Sequence, residues 1–132
     1  MTTTAAAANT AYRLGEQFHA ALTAGDWEAI RSLLHTDATW TLPGENTVSG
    51  TVVGADAIVG RAQKIADYGL SFELLHVLVS RENMALSLHN TAQRDEAVLD
   101  EYLSTVCRLR DGKIASIETY LSDVPAMNAF FT

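Results

Sequence analysis

A chain of 132 residues is long enough for one domain and too short for two, and 48% hydrophobic against 19% charged residues is the composition of a folded globule. A net charge of -7 argues against nucleic acid as a partner, since phosphate binding needs clustered Lys and Arg to displace counterions. The apolar runs fall far short of a membrane span, residues 1–9 carry no signal-peptide pattern, and the single Cys107 has no partner for a disulfide, so the expected location is cytoplasmic.

Residues 1–8, a Thr/Ala stretch, read as a loose N-terminus, and 9–132 as the domain. Asn9 or Thr10 can cap a helix whose apolar positions Ala11, Leu14, Phe18, Ala21 and Leu22 recur at helical spacing, with Gly25 as its end. Asp26 then caps a short second helix through Trp27, Ile30, Leu33 and Leu34. Alternation over 38–42, closed by Pro43 and Gly44, predicts a strand with Trp40 and Leu42 on one face, followed by a loop that carries Gly50. Helical spacing returns over 55–68 through Ile58, Ala62 and Ile65, and Gly69 supplies the stop.

Four strands follow, over 70–79, 84–94, 98–110 and 114–121, joined as antiparallel hairpins. In the last hairpin a two-residue loop, Asp111 and Gly112, would set Thr105 opposite Glu118 and pair an apolar face with a charged one. A three-residue loop ending at Gly112 pairs Leu109 with Lys113, Cys107 with Ala115, Thr105 with Ile117 and Leu103 with Thr119, so the apolar faces coincide. Asp123 before Val124, Pro125 and Ala126 is the cap and early proline of a short closing helix over 127–131. The predicted class is α+β: three N-terminal helices packed on a curved, mostly antiparallel sheet, with a short C-terminal helix.

Leu99, Glu101, Leu103, Thr105, Cys107 and Leu109 share one face of their strand, and Ala115, Ile117, Thr119 and Leu121 one face of the next. A buried hydroxyl without a partner costs about 1–3 kcal/mol, so Thr105 and Thr119 must bond backbone, water, a neighbour or a ligand. Glu101 lies near the turn at Arg94, Asp95 and Glu96, and either reaches water at a rim or is held there for proton transfer as a general base. Cys107 reads as a buried thiol. His19 and His35 read as partly exposed and His89 as facing away from the interior. His76 takes no direction, because Phe72, Leu74 and Leu78 on one face and Leu75, Val77 and Val79 on the other are all apolar. No two His or carboxylates recur at ligand spacing on one element, so neither metal nor cofactor is expected. The expected lining of an apolar ligand pocket is Phe18, Trp40, Leu42, Met84, Leu86, Leu103, Thr105, Cys107, Thr119 and Leu121. The opposite sheet face, with Tyr102, Ser104, Val106, Ser116, Glu118 and Tyr120, reads as a homodimer interface.

Residues 18–43 (FHAALTAGDWEAIRSLLHTDATWTLP), 48–58 (VSGTVVGADAI) and 107–114 (CRLRDGKI) resemble the NTF2-like superfamily, in particular its SnoaL-like, polyketide-cyclase-like branch and its ketosteroid-isomerase-like branch. The resemblance spans almost the whole chain. It implies an NTF2-like cone, a small apolar organic ligand and a dimer. As to activity, it implies an isomerase, cyclase or dehydratase that acts without a cofactor on a carbonyl or polycyclic metabolite, or else a non-catalytic ligand-binding or interaction module. The isomerase tyrosine falls at Phe18, its base at Leu42 and its oxyanion acid at Thr105. The cyclase aspartate falls at Thr119 and its histidine at Thr105. Phe and Leu exchange no proton and threonine is no acid of useful strength, which leaves Glu101 as the catalytic candidate and two threonines to orient a ligand oxygen.

Overall fold

The computed structural model describes residues 5–132. Helix α1 (Ala5–Ala24) starts earlier than a cap at Asn9 or Thr10 predicts, because a run of alanines, the best helix former, continues the helix without one. The loose segment expected over 1–8 is therefore helix from Ala5 onward, and its first four residues lie outside the described residues. Gly25, at φ +67, ends α1 in the left-handed region, and the Asp26 carboxylate accepts the Ala29 N–H at 3.2 Å to start α2 (Trp27–Leu33). Among the described residues these two helices alone precede the first strand. Helix α3 (Ala55–Ala66) comes after two strands and α4 (Val124–Phe130) closes the chain, which corrects the grouping of three N-terminal helices. Asp123 caps α4 by accepting the Ala126 N–H. Among the described residues no helix is long and apolar enough to cross a membrane.

Strands β1 (Leu34–Leu42), β2 (Gly50–Val53), β3 (Ser71–Ser80), β4 (Asn83–Arg94), β5 (Ala97–Arg110) and β6 (Lys113–Leu121) form one open, curved sheet in the order β2-β1-β6-β5-β4-β3. Strand β1 pairs parallel with β6, with Trp40 opposite Ile117, and its other edge takes β2, a short strand where the sequence predicts a loop. The remaining pairs are antiparallel.

Two bulges decide which side chains face the helices. On β3, Leu74 opposes Leu88 and His76 opposes Ser87, so Leu75 is an extra residue. Phe72 and Leu74 face inward before it, Val77 and Val79 after it, and His76 is exposed. The bulge thus draws the inward residues from both apolar sets that left His76 undirected, and leaves Leu78 of one and Leu75 of the other exposed. On β6 the loop is the two-residue Asp111 and Gly112, at φ 53 and 78, with Arg110 opposite Lys113. Ala115 is then extra, so that Cys107 meets Ile117, Thr105 meets Thr119 and Leu103 meets Leu121. This corrects the three-residue loop and its partners. The two registers differ by two residues, which preserves facing; burial therefore identifies the right faces and the wrong partners. Ile114, fully buried, takes the inward place expected for Ala115.

Helix α1 presses on β3 at Gly15, where an added Cβ would lie 2.8 Å from Val77 Cγ1. One core cluster gathers Leu14, Ile30, Ile58, Leu86, Cys107 and Ile114, and a second gathers Leu42, Ile65, Leu99, Met127, Phe130 and Phe131. Residues of both clusters wall the space between them.

Candidate functional site

That space is a cavity of about 60 Å³. It is walled by Phe18 and Leu22 of α1, Trp40 and Leu42 of β1, Ala62 and Ile65 of α3, inward side chains of β3 to β6, and Met127 with Phe131 at the chain's end. Phe18, Trp40, Leu42, Leu86, Leu103, Thr105, Thr119 and Leu121 of the expected lining face it. Met84 and Cys107 do not: they stand on the inward face one step further along β4 and β5, in the core with Leu14. Asn90 faces it and the sequence reading missed it, although the alternation Leu86, Leu88 reaches it in one more step. Leu22, Leu70 and Phe72 also wall an open groove past Thr23, Gly25 and Ala66, so they stand between the cavity and solvent.

The polar centre of the wall is a chain of three side chains. The Trp40 indole N–H donates to Thr119 Oγ1 at 3.0 Å, and Thr119 shares a hydrogen bond with Thr105 at 3.2 Å. Three donor hydrogens are present and two bonds are made, so among the described residues one hydroxyl hydrogen has no acceptor whichever threonine donates. Trp40 is fixed by Arg61 of α3, a residue sequence reasoning missed. Arg61 Nη1 donates to Trp40 O at 3.1 Å and Nη2 to Ser49 O at 3.3 Å, and the guanidinium lies 5.0 Å from the indole centroid. Burial lowers the Arg61 pKa, but a guanidinium stays charged at any ordinary pH. The signal was available, since position 61 lies on the Ile58, Ala62, Ile65 stripe.

Glu101 reaches no water. It is fully buried, which corrects the rim reading, and it does not line the cavity. Its Oε1 accepts the Asp123 N–H at 2.8 Å and the Ser122 hydroxyl at 3.3 Å, while Oε2 has no partner among the described residues. Burial, the largest influence, raises its pKa above the ordinary glutamate range, and the two donors at Oε1 pull it back. Burial also pushes the Cys107 thiol up to about 12. His89 lies on the outer face, stacked on Tyr102 between Asp100 at 2.5 Å and Glu73 at 3.3 Å, and the bond to Asp100 is the largest influence raising its pKa. His19 bonds Phe72 O and His35 bonds Arg110 O. None of the side chains lining the cavity is titratable.

The family model for the SnoaL-like domain matches residues 16–117, from α1 into β6. No curated protein matches significantly. Among solved structures, Bal32a from a soil-derived mobile gene cassette superposes with a TM-score of 0.90 at 25% identity, over 96% of this chain and 99% of that one. An NTF2-like protein of Burkholderia xenovorans gives 0.81 at 19% identity, over 95% and 98%. An LEH-like epoxide hydrolase of M. tuberculosis gives 0.71 at 17% identity, over 94% and 90%. The last two are likenesses of fold. A family match over most of the length, on a sheet and helices that superpose this widely, makes the chain a member of the SnoaL-like family.

Proposed function

We propose that this protein binds a small, largely apolar organic molecule and seats one of its oxygens on Thr105 and Thr119. The supporting observation is the spare hydroxyl hydrogen in a wall that is otherwise nearly all hydrocarbon. A ligand carbonyl or ether oxygen placed there gains a net hydrogen bond of about 0.5–1.5 kcal/mol over a hydrocarbon of the same shape. A cavity of about 150 Å³ holds benzene, whereas this one measures about 60 Å³. A ring-sized ligand therefore enters only as Leu22, Leu70 and Phe72 turn aside. The outer face of β3 to β6, with Leu78, Val98, Tyr102 and Tyr120 exposed, completes the proposal as a homodimer interface.

Calorimetric titration with cyclohexanone and its hydrocarbon isostere methylenecyclohexane tests the oxygen seat. The ketone is expected to bind about 2- to 10-fold more tightly, and the double variant Thr105→Val, Thr119→Val to weaken that preference. Equal binding of both probes by wild type refutes the role of the threonines, and binding of neither refutes the pocket. A catalytic version, an isomerase, cyclase or dehydratase, draws support from the family and from Glu101, a buried carboxyl paired across the strands with cavity-lining Asn90. General acid–base chemistry needs a titratable group within hydrogen-bond reach of the proton it moves, and the cavity wall offers none. Binding is therefore the better-supported reading. Conversion of a bound ketone by wild type, lost in Glu101→Gln, would replace it.

A further inference from the structure

Asn90 and Glu101 are register partners across β4 and β5, and both side chains stand on the helix-covered face, where directly opposed residues hold their Cβ atoms roughly 5 Å apart. Each carries a buried oxygen without a hydrogen-bond partner, Asn90 Oδ1 and Glu101 Oε2. Both are acceptors on directly opposed residues, and buried acceptors left without a donor are a state that folded proteins avoid. A single proton resolves it. A neutral Glu101 has an Oε2–H to give to Asn90 Oδ1, and the Asn90 amide then keeps its N–H groups for the cavity it lines. With Glu101 ionised, the amide must turn over, giving its N–H to the carboxylate and its oxygen to the cavity.

We propose that Asn90 is a second recognition point in the cavity and that Glu101, as a positioning residue, sets its polarity: a donor to a ligand oxygen when Glu101 is neutral, an acceptor when Glu101 is ionised. The recognition half rests on the cavity being a ligand pocket; the acid–amide pair does not. Burial and the Asp123 carboxylate favour the neutral form of Glu101, against the two donors at its Oε1. Ser122 and Asp123 meet it from the turn between β6 and α4, and Asn90 faces it from β4. The one charge among these is the Asp123 carboxylate, which caps Ala126 and opposes a second negative charge nearby. The Arg94 guanidinium, on the same strand as Asn90, is occupied over the rings of Tyr68 and Phe130.

Infrared spectroscopy tests the pair without any ligand. Wild type at neutral pH is expected to show the C=O band of a buried carboxylic acid, absent from Glu101→Gln and shifted in Asn90→Leu, or in Asn90→Ala should the leucine variant not fold. A carboxylate band in its place, or an acid band that the Asn90 variants leave unmoved, overturns the proposal. Cyclohexanone titration then tests recognition. Its preference over methylenecyclohexane should fall about 2- to 10-fold as pH rises through the Glu101 transition, stay high at every pH in Glu101→Gln, whose amide donates to Asn90 as the acid does, and lose its pH dependence in Asn90→Leu. A wild-type preference that ignores pH overturns the coupling. Failure of every ketone to bind sinks the pocket reading, while the infrared shift still decides the acid–amide pair.

Discussion

Among the described residues Arg61 is buried without a carboxylate partner, held by two backbone carbonyls and the face of Trp40. Arg61→Ala removes a donor from Trp40 O and Ser49 O and the cation from the indole face, and should cost about 2–4 kcal/mol by urea denaturation. Arg61→Lys, which lacks the planar fork, should cost about 1–2 kcal/mol. Glu101 gives stability a pH dependence of its own. A carboxyl whose pKa is raised by folding contributes fully below its unfolded value and loses that contribution as pH rises through the folded one. Denaturation midpoints measured across pH should therefore fall in wild type above the ordinary glutamate range, and this component of the fall should vanish in Glu101→Gln. At this scale the threonines and most of the lining were legible, because alternation along β5 and β6 puts polar groups on an apolar face. Glu101 was placed on the correct face but at the wrong depth: its distance from a turn says nothing of α4 folding back over it. That closure is a tertiary event, fixed by the Asp123 N–H on the Glu101 carboxyl.

Elements were legible wherever one period held, and the failures sit at its interruptions. The bulge at Leu75 switches phase inside β3, and that at Ala115 reconciles the Asp111-Gly112 turn with inward Thr119. Neither leaves a mark that single-strand alternation can read. Strand β2, four residues long, owes its pairing to β1 more than to its own sequence. Close packing between elements is testable at Gly15. Gly→Ala inside a helix normally gains up to about 1 kcal/mol, but here the new methyl meets Val77 Cγ1 at 2.8 Å and Leu86 Cδ2 at 3.1 Å. Gly15→Ala should therefore destabilise by about 1–3 kcal/mol. Combination with Val77→Ala should cost less than the sum of the two single changes, a coupling that a double-mutant cycle of denaturation measurements reads directly.

For the whole molecule, the proposed homodimer predicts a mass by light scattering at micromolar concentration of twice the 14.3 kDa chain. The pair Tyr102→Glu, Tyr120→Glu, on side chains 54% and 57% exposed, should yield a monomer with an unchanged circular dichroism spectrum. A wild-type monomer would remove the interface. The family was legible from strings spread along the chain, whereas strand order was not, because the parallel contact of β1 with β6 joins segments with no local signal for each other. That contact carries a temporal consequence. Trp40 is made well before its partner Ile117, so the β1–β6 seam cannot close until Ile117 has left the ribosome. Until then the β1 edge that β6 will take stays open, although β2 already pairs with the other edge, and long-range pairings of this kind fold slowly. The strand that carries Trp40 to the cavity wall is thus the one whose open edge a partly made chain must keep from pairing wrongly.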